Sequence, residues 1–221
     1  MSKVKTLPSY GNELETLRTN LGNMLPADKL AVFDKDAVEL GAAHRNILKQ
    51  KKGDTAPDFR LTNATGEPVS LSELLRHGKV VMVFYRGTWC PYCNLQLNIY
   101  KGVLPRLTEA RAQLVAISPQ TPDESLTRKE KNELPYQVLS DPGNVVARQF
   151  TTVFKNGEAP LQAMEELGID FGTHYADDSM ELPVPAVFII GTDRTVLFAE
   201  TSGGDYRNRV EPEIILNALN A

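Results

Sequence analysis

The sequence predicts an α/β fold: one mixed central β-sheet flanked by helices, preceded by an N-terminal helical extension. Three observations carry this. From residue 55 onward, strand-sized apolar runs alternate with amphipathic segments, as in strand–helix–strand units. Near the C-terminus two such runs, "PAVFIIG" and "TVLFAE", are joined through "GTDR", a hairpin-type turn that adds an antiparallel pair. Residues 1–50 show helical periodicity only, so the chain divides into an extension (1–50) and a sheet-containing domain (51–221).

The elements follow in order. "GNELETLRTNLGNML" spaces Leu14, Leu17, Leu21 and Leu25 by three and four residues, and "ADKLAVFDKDAVELGAAHRNIL" continues with Leu30, Val32, Phe33, Val38 and Leu40. Both read as amphipathic helices. They are expected to pack on their own domain or on a second copy of the chain in a homodimer. "KQKKGDTAPD" reads as a linker, "DFRLTN" as a short strand, and "VSLSELLRHG" as a turn of helix with glycine at its end. "KVVMVFYRG" is apolar on successive residues, as expected of a strand covered on both faces. A helix is predicted from Pro91 to Arg111, with Pro91 suited to a first turn and Pro105 expected to kink or split it.

Further on, "QLVAISP" is a second buried strand, "TPDESLTRKEKNE" a polar surface helix and "YQVLSD" a short strand. "PGNVVARQFTTVF" is expected to be helical throughout, and "NGEAPLQAMEELGIDFGTHYADD" to mix a short helix with loop. "EPEIILNALNA" closes the chain as an amphipathic helix.

The chain has 221 residues and a net charge of −4, with no basic block, so nucleic acid is not an expected partner. No apolar run approaches the ~20 residues that span a bilayer, and the N-terminus lacks a signal-type stretch, so a cytoplasmic protein is expected.

The two cysteines of the chain both lie in "GTWCPYC", between a buried strand and a helix start. There, unpaired backbone N–H groups and the positive end of the helix dipole favour a thiolate. Cys90 is expected at that end, exposed and nucleophilic, with Cys93 one turn in and close enough to pair with it. A structural disulfide suits a reducing compartment poorly. A structural zinc site needs four Cys or His ligands, and His44, His77 and His174 are scattered singly. A redox dithiol is the reading on which motif and context agree, and it calls for no metal or organic cofactor.

"APDFRLTNATGEPVSLSELL", "KVVMVFYRGTWCPYC", "LVAISPQ", "PYQVLSDPGNVVARQF" and "PAVFIIGTDRTVLFAE" together resemble the peroxiredoxin/alkyl hydroperoxide reductase family of the thioredoxin superfamily, in consistent order over residues 55–220. The resemblance implies a thioredoxin-like fold. It implies thiol-dependent reduction of hydrogen peroxide or alkyl hydroperoxides, with a thioredoxin-like or glutaredoxin-like reductant restoring the dithiol. Carried onto this sequence, Cys90 is the nucleophile and Cys93 the resolving cysteine. Trp89, Pro91, Tyr92 and Val184 line the substrate site. Pro185 stands where thioredoxin-fold proteins carry a cis-proline facing the dithiol, so a cis Val184–Pro185 bond is expected, with Pro183 the weaker candidate.

Several positions depart from the family pattern. The family places a proline and then a Thr or Ser three residues before the reactive cysteine. Here Thr88 is two before Cys90, Gly87 three before, and Arg86 replaces the proline. Pro185 occupies the place of an arginine at the start of the late strand. Arg86 either supplies the missing positive charge or is a solvated surface residue. "CNLQL" after Cys93 resembles the stretch that follows the reactive cysteine, whereas the helix-end position favours Cys90. Val83 stands where thioredoxins carry a buried proton-accepting Asp, which leaves Glu181, His174 and Tyr175 as candidate proton carriers. Two other readings remain open: a general thiol–disulfide oxidoreductase, and a redox-sensing module that binds a partner through the N-terminal helices.

Overall fold

The computed structural model describes residues 7–45, 47–121 and 135–220. The expected surface helix in "TPDESLTRKEKNE" falls, from residue 122 on, outside the described residues.

The extension forms helices α1 (Tyr10–Met24) and α2 (Ala27–Ala43). Next come strands β1 (Arg60–Asn63) and β2 (Pro68–Ser70) and helix α3 (Leu71–Leu75). Helix α3 is set by a capping box in which Ser70 and Glu73 satisfy each other's backbone N–H groups. Strand β3 (Lys79–Phe84) leads into α4 (Pro91–Lys101) and α5 (Leu104–Glu109), then β4 (Ala112–Ser118) and β5 (Gln137–Ser140). The predicted long helix is therefore split at Gly102–Val103. Pro105 takes the first turn of α5, where its missing N–H costs nothing.

"PGNVVARQFTTVF" is not one helix. A 3-10 turn (Pro142–Asn144) precedes the short helix α6 (Ala147–Phe150), and the chain then becomes strand β6 (Val153–Lys155). Thr151 turns extended and its hydroxyl donates to the Val184 carbonyl at 3.0 Å, a partner 33 residues away that local periodicity does not contain. Strand β6 pairs with β7 (Glu181–Pro183) in a separate two-stranded sheet, with helix α7 (Glu158–Glu166) between them in sequence. Strands β8 (Ala186–Ile190) and β9 (Val196–Glu200) form the expected antiparallel pair, and α8 (Pro212–Asn220) closes the chain.

The main sheet has seven strands in the order β2-β1-β5-β4-β3-β8-β9. Strands β3, β4 and β5 run parallel; β8 pairs antiparallel with β3, and β1 with β5. Side chains alternate across β3: Val80, Met82 and Phe84 pack with α3 and α6, while Val81 and Val83 pack on the other face with α4 and α8. Tyr10 and Ala37 of α1 and α2 join that second core. The continuous apolar run of β3 is thus explained by two covered faces, and it carries the cysteine motif to the edge of the core.

The turn after β5 is held by buried Asp141. Its carboxylate accepts from the Val146 N–H at 3.0 Å and the Ala147 N–H at 2.8 Å. Asp141→Ala orphans both donors, and a loss of about 1–3 kcal/mol is expected. Urea unfolding checks it, as a lower midpoint at unchanged slope.

Candidate active site

Two local features bring the cysteines to the end of β3. Gly87 makes the turn: a Cβ there would lie 2.6 Å from Trp89 Nε1 and 2.9 Å from Tyr175 Oη. Pro91 then starts α4, with Cys90 as its N-cap residue and Cys93 in the first turn. Both thiols are free.

Their environment corrects one expectation. Cys90 is not exposed: its residue accessibility is 1%, and that of Cys93 is 0%. Burial pushes the Cys90 thiol well up, and the hydrogen bond to Cys93 pushes it further, against the opposing pull of Arg86 and Arg209. Burial also acts upward on Cys93. There, however, the Cys90 S–H and the guanidiniums of Arg209 and Arg86 prevail, and Cys93 lies well below the usual thiol range. The shared hydrogen bond and the two guanidiniums thus favour the negative charge on Cys93 over Cys90.

Arg209 is the residue that sequence reasoning missed. It is 7% exposed, and its Nη2 donates to Cys93 Sγ at 3.2 Å. Its Nη1 donates to the Asn208 carbonyl at 2.7 Å and also to the Tyr206 carbonyl. It sits 116 residues from Cys93, in a polar loop with no periodicity, so nothing local marks it. Arg86 is not a surface residue: it is 4% exposed, with its guanidinium 3.8 Å from the Tyr206 ring centroid and 4.8 Å from that of Trp89. Its Nε has no hydrogen-bond partner among the described residues.

Thr88 is engaged away from the sulfurs. Its N–H donates to Gln120 Oε1 at 2.6 Å, and Gln120 Nε2 donates back to its hydroxyl at 3.0 Å. Trp89 Nε1 donates to Tyr175 Oη at 2.6 Å, and that hydroxyl donates to the Arg86 carbonyl at 2.8 Å. Phe171 packs edge-on to Trp89, with centroids 5.5 Å apart, and stacks on Tyr175. Of the three candidate proton carriers, Tyr175 touches the motif through Trp89 and Arg86; Glu181 pairs with Arg148, and His174 lies beside the Tyr175 ring. Val184 is buried in a cluster that Trp89 packs against. Pro185 precedes β8, and the Val184–Pro185 bond is trans, which overturns the expected cis isomer. Val184 N–H donates to the Thr152 carbonyl at 2.8 Å, which fixes the approach of this segment with the trans bond in place.

A cavity of about 250 Å³ opens onto Cys90, with Arg86, Trp89, Pro91 and Tyr92 beside it. Cys93 is not part of its wall. Val184, Pro185 and Thr88 are likewise outside its lining. Among the described residues no group of three or more His, Cys, Asp or Glu converges as a metal site would, and no helix is long and apolar enough to cross a membrane. Gly87→Ala is expected to displace Trp89 and Tyr175. Dithiol oxidation should slow by about tenfold or more, because small misplacements at a reacting centre are costly. Fluorescence of Trp89, the single tryptophan, checks both effects.

The sequence profile of the AhpC/TSA family matches residues 52–199. A Mycobacterium tuberculosis protein named as a peroxiredoxin is 36% identical over 100 residues, covering 45% of this chain and 65% of that one. The chloroplastic peroxiredoxin Q of Sedum lineare is 35% identical over 105 residues, covering 47% and 55%. The chain thus spans less than two thirds of the length of these curated relatives. Among solved structures, the peroxidoxin BcpB of Mycobacterium tuberculosis superposes with a TM-score of 0.58 at 28% identity, covering 77% of this chain and 97% of the other. The central mixed sheet flanked by helices is the thioredoxin-like arrangement of those proteins.

Proposed function

The chain belongs to the AhpC/TSA family, and from that membership and the geometry of its dithiol we propose that it is a thiol-dependent peroxidase working through Cys90 and Cys93. The observation that carries this is the division of labour between the two sulfurs. Cys90 forms part of the cavity wall with Arg86, while Cys93 lies outside that wall and accepts from Arg209, which lowers its ionisation range.

In the proposed cycle, Cys90 Sγ attacks one oxygen of the hydroperoxide as its proton passes to the Cys93 thiolate. The O–O bond breaks, the alkoxide or hydroxide leaves and takes a proton from water, and Cys90 becomes a sulfenic acid. Cys93 then attacks the Cys90 sulfur. Its proton goes to the departing hydroxyl, which leaves as water, and a Cys90–Cys93 disulfide forms. The dithiol loses two electrons and the O–O bond gains them. A thioredoxin-like or glutaredoxin-like dithiol reverses the oxidation by exchange, which suits a reducing compartment such as the cytoplasm.

Two observations favour a second reading, a general thiol–disulfide oxidoreductase: the hydroxyl of Thr88 is engaged by Gln120, and Pro185 stands where the family pattern has an arginine. One experiment separates the two. Reduced protein is mixed with hydrogen peroxide or an alkyl hydroperoxide while Trp89 fluorescence is followed by stopped flow. Oxidation far faster than that of a free thiol at the same pH supports the peroxidase. A free-thiol rate, with fast exchange against a protein disulfide, replaces it with the oxidoreductase.

A further inference from the structure

The cavity over Cys90 has an outer wall that the family match does not include. Leu21 of α1, Leu25 just after it, and Leu30 and Phe33 of α2 face it, all half-buried, and none lies within residues 52–199. Met164 and Leu167, at the C-terminal end of α7, face them. Arg86, beside Cys90, is the only charged residue in the lining among the described residues. On the basis of the peroxidase reading, we propose that the α1–α2 arm is a specificity element that selects hydroperoxides carrying a compact apolar organic group over hydrogen peroxide.

The size and chemistry of the cavity support this. Its volume of about 250 Å³ compares with ~30 Å³ per water in the liquid, so hydrogen peroxide leaves most of it unfilled. It lies just below the ~300–1,000 Å³ of sites for drug-sized ligands, which suits a small organic group. Hydrogen peroxide gives up hydrogen bonds to water on entering a leucine-lined space. An organic group gains about threefold to fourfold in affinity for each methylene removed from water. Binding of the non-reacting group holds the O–O bond against Cys90, so the gain appears in kcat/KM.

The wall is also preformed. Glu211 caps α1, accepting from the Tyr10 N–H at 2.8 Å and the Gly11 N–H at 2.7 Å. Arg207 binds Asp34 at 2.7 Å, and the Tyr206 hydroxyl donates to the Phe33 carbonyl at 2.8 Å. At Gly204 a Cβ would fall 2.1 Å from the Leu40 carbonyl oxygen, so α2 and this segment touch backbone to backbone. The same 204–211 stretch carries Arg209, so the seat of the arm and the partner of Cys93 are one piece of chain.

The test is a chain-length series on the intact protein: hydrogen peroxide, then ethyl, butyl and hexyl hydroperoxide. The expected result is a kcat/KM that rises about threefold per methylene until the cavity is full. A flat series overturns the inference while leaving the peroxidase reading intact. Leu25→Asn and Leu30→Asn should each lower the ratio of kcat/KM for hexyl hydroperoxide over hydrogen peroxide by about tenfold. Because the ratio is read within one variant, partial unfolding does not mimic the effect, and an unchanged ratio in both overturns the role of the arm. Binding of 1-hexanol to the reduced protein, followed by Trp89 fluorescence, is independent of turnover. Saturable binding weakened by either variant supports the apolar specificity of the arm, even if no hydroperoxide is turned over and the peroxidase reading itself falls. Absence of saturable binding counts against it.

Discussion

Cys90→Ser is expected to lower peroxide turnover by at least about 10³-fold, because among the described residues no other thiol faces the cavity. Cys93→Ser should behave differently. It removes the base for the first step and the partner for the second. The first equivalent of hydroperoxide should react about 10²-fold more slowly or worse, and no disulfide follows. Cys90 should then accumulate as sulfenic and later sulfinic acid. Mass spectrometry of the two variants after one equivalent of peroxide checks both statements. The outcome that would sink the role assignment is an oxidised Cys93 in Cys90→Ser beside an unmodified Cys90 in Cys93→Ser. The buried thiolate would then be the attacking sulfur itself.

Arg209→Met is expected to raise the ionisation range of Cys93 by removing a charge-assisted donor at 3.2 Å. A hydrogen bond to a charged group contributes about 1.5–3 kcal/mol, so the rate of dithiol oxidation at neutral pH should fall by about 10- to 100-fold. The pH dependence gives the sign. In the native protein Arg209 and Arg86 hold Cys93 well below the usual thiol range, so its rise in rate with pH is complete at lower pH than in the variant. In the variant the rate should climb as pH rises through neutrality. Stability follows the same linkage. A thiol with a depressed folded value contributes stability that is fully present above its unfolded value and lost as pH falls through the folded value. The variant's deficit should therefore be largest in alkaline solution and shrink toward acid. Arg209→Lys keeps the charge without the planar fork, and should recover part of the neutral-pH rate. A pH–rate profile that coincides with the native one would remove Arg209 from the site.

Much of this was legible in the chain itself. The uninterrupted apolar run of β3 implied a strand with two covered faces, and Val80 and Val81 do point into different cores. Pro105 marked the break between α4 and α5, because a proline inside a helix removes a donor wherever it falls. The dithiol was visible because strand, cysteine pair and N1 proline are adjacent in sequence. The misreadings share one cause. The segment after Phe150 leaves the helix because Thr151 bonds a carbonyl 33 residues away, and Val184–Pro185 is trans within the same contact set.

By itself, then, the sequence determined the layered α/β order, the redox pair and its helix-end setting, because each depends on residues within a turn or two of one another. The tertiary structure decided where the charge of that pair rests and what reaches it. Cys90 became buried beside a cavity whose outer wall is the arm, Arg86 turned inward onto Tyr206, and Arg209 arrived at Cys93 from a loop with no pattern of its own. Ionisation of a buried thiol is set by which charges lie within a few ångströms, and the folded chain chooses those neighbours without regard to their distance in sequence.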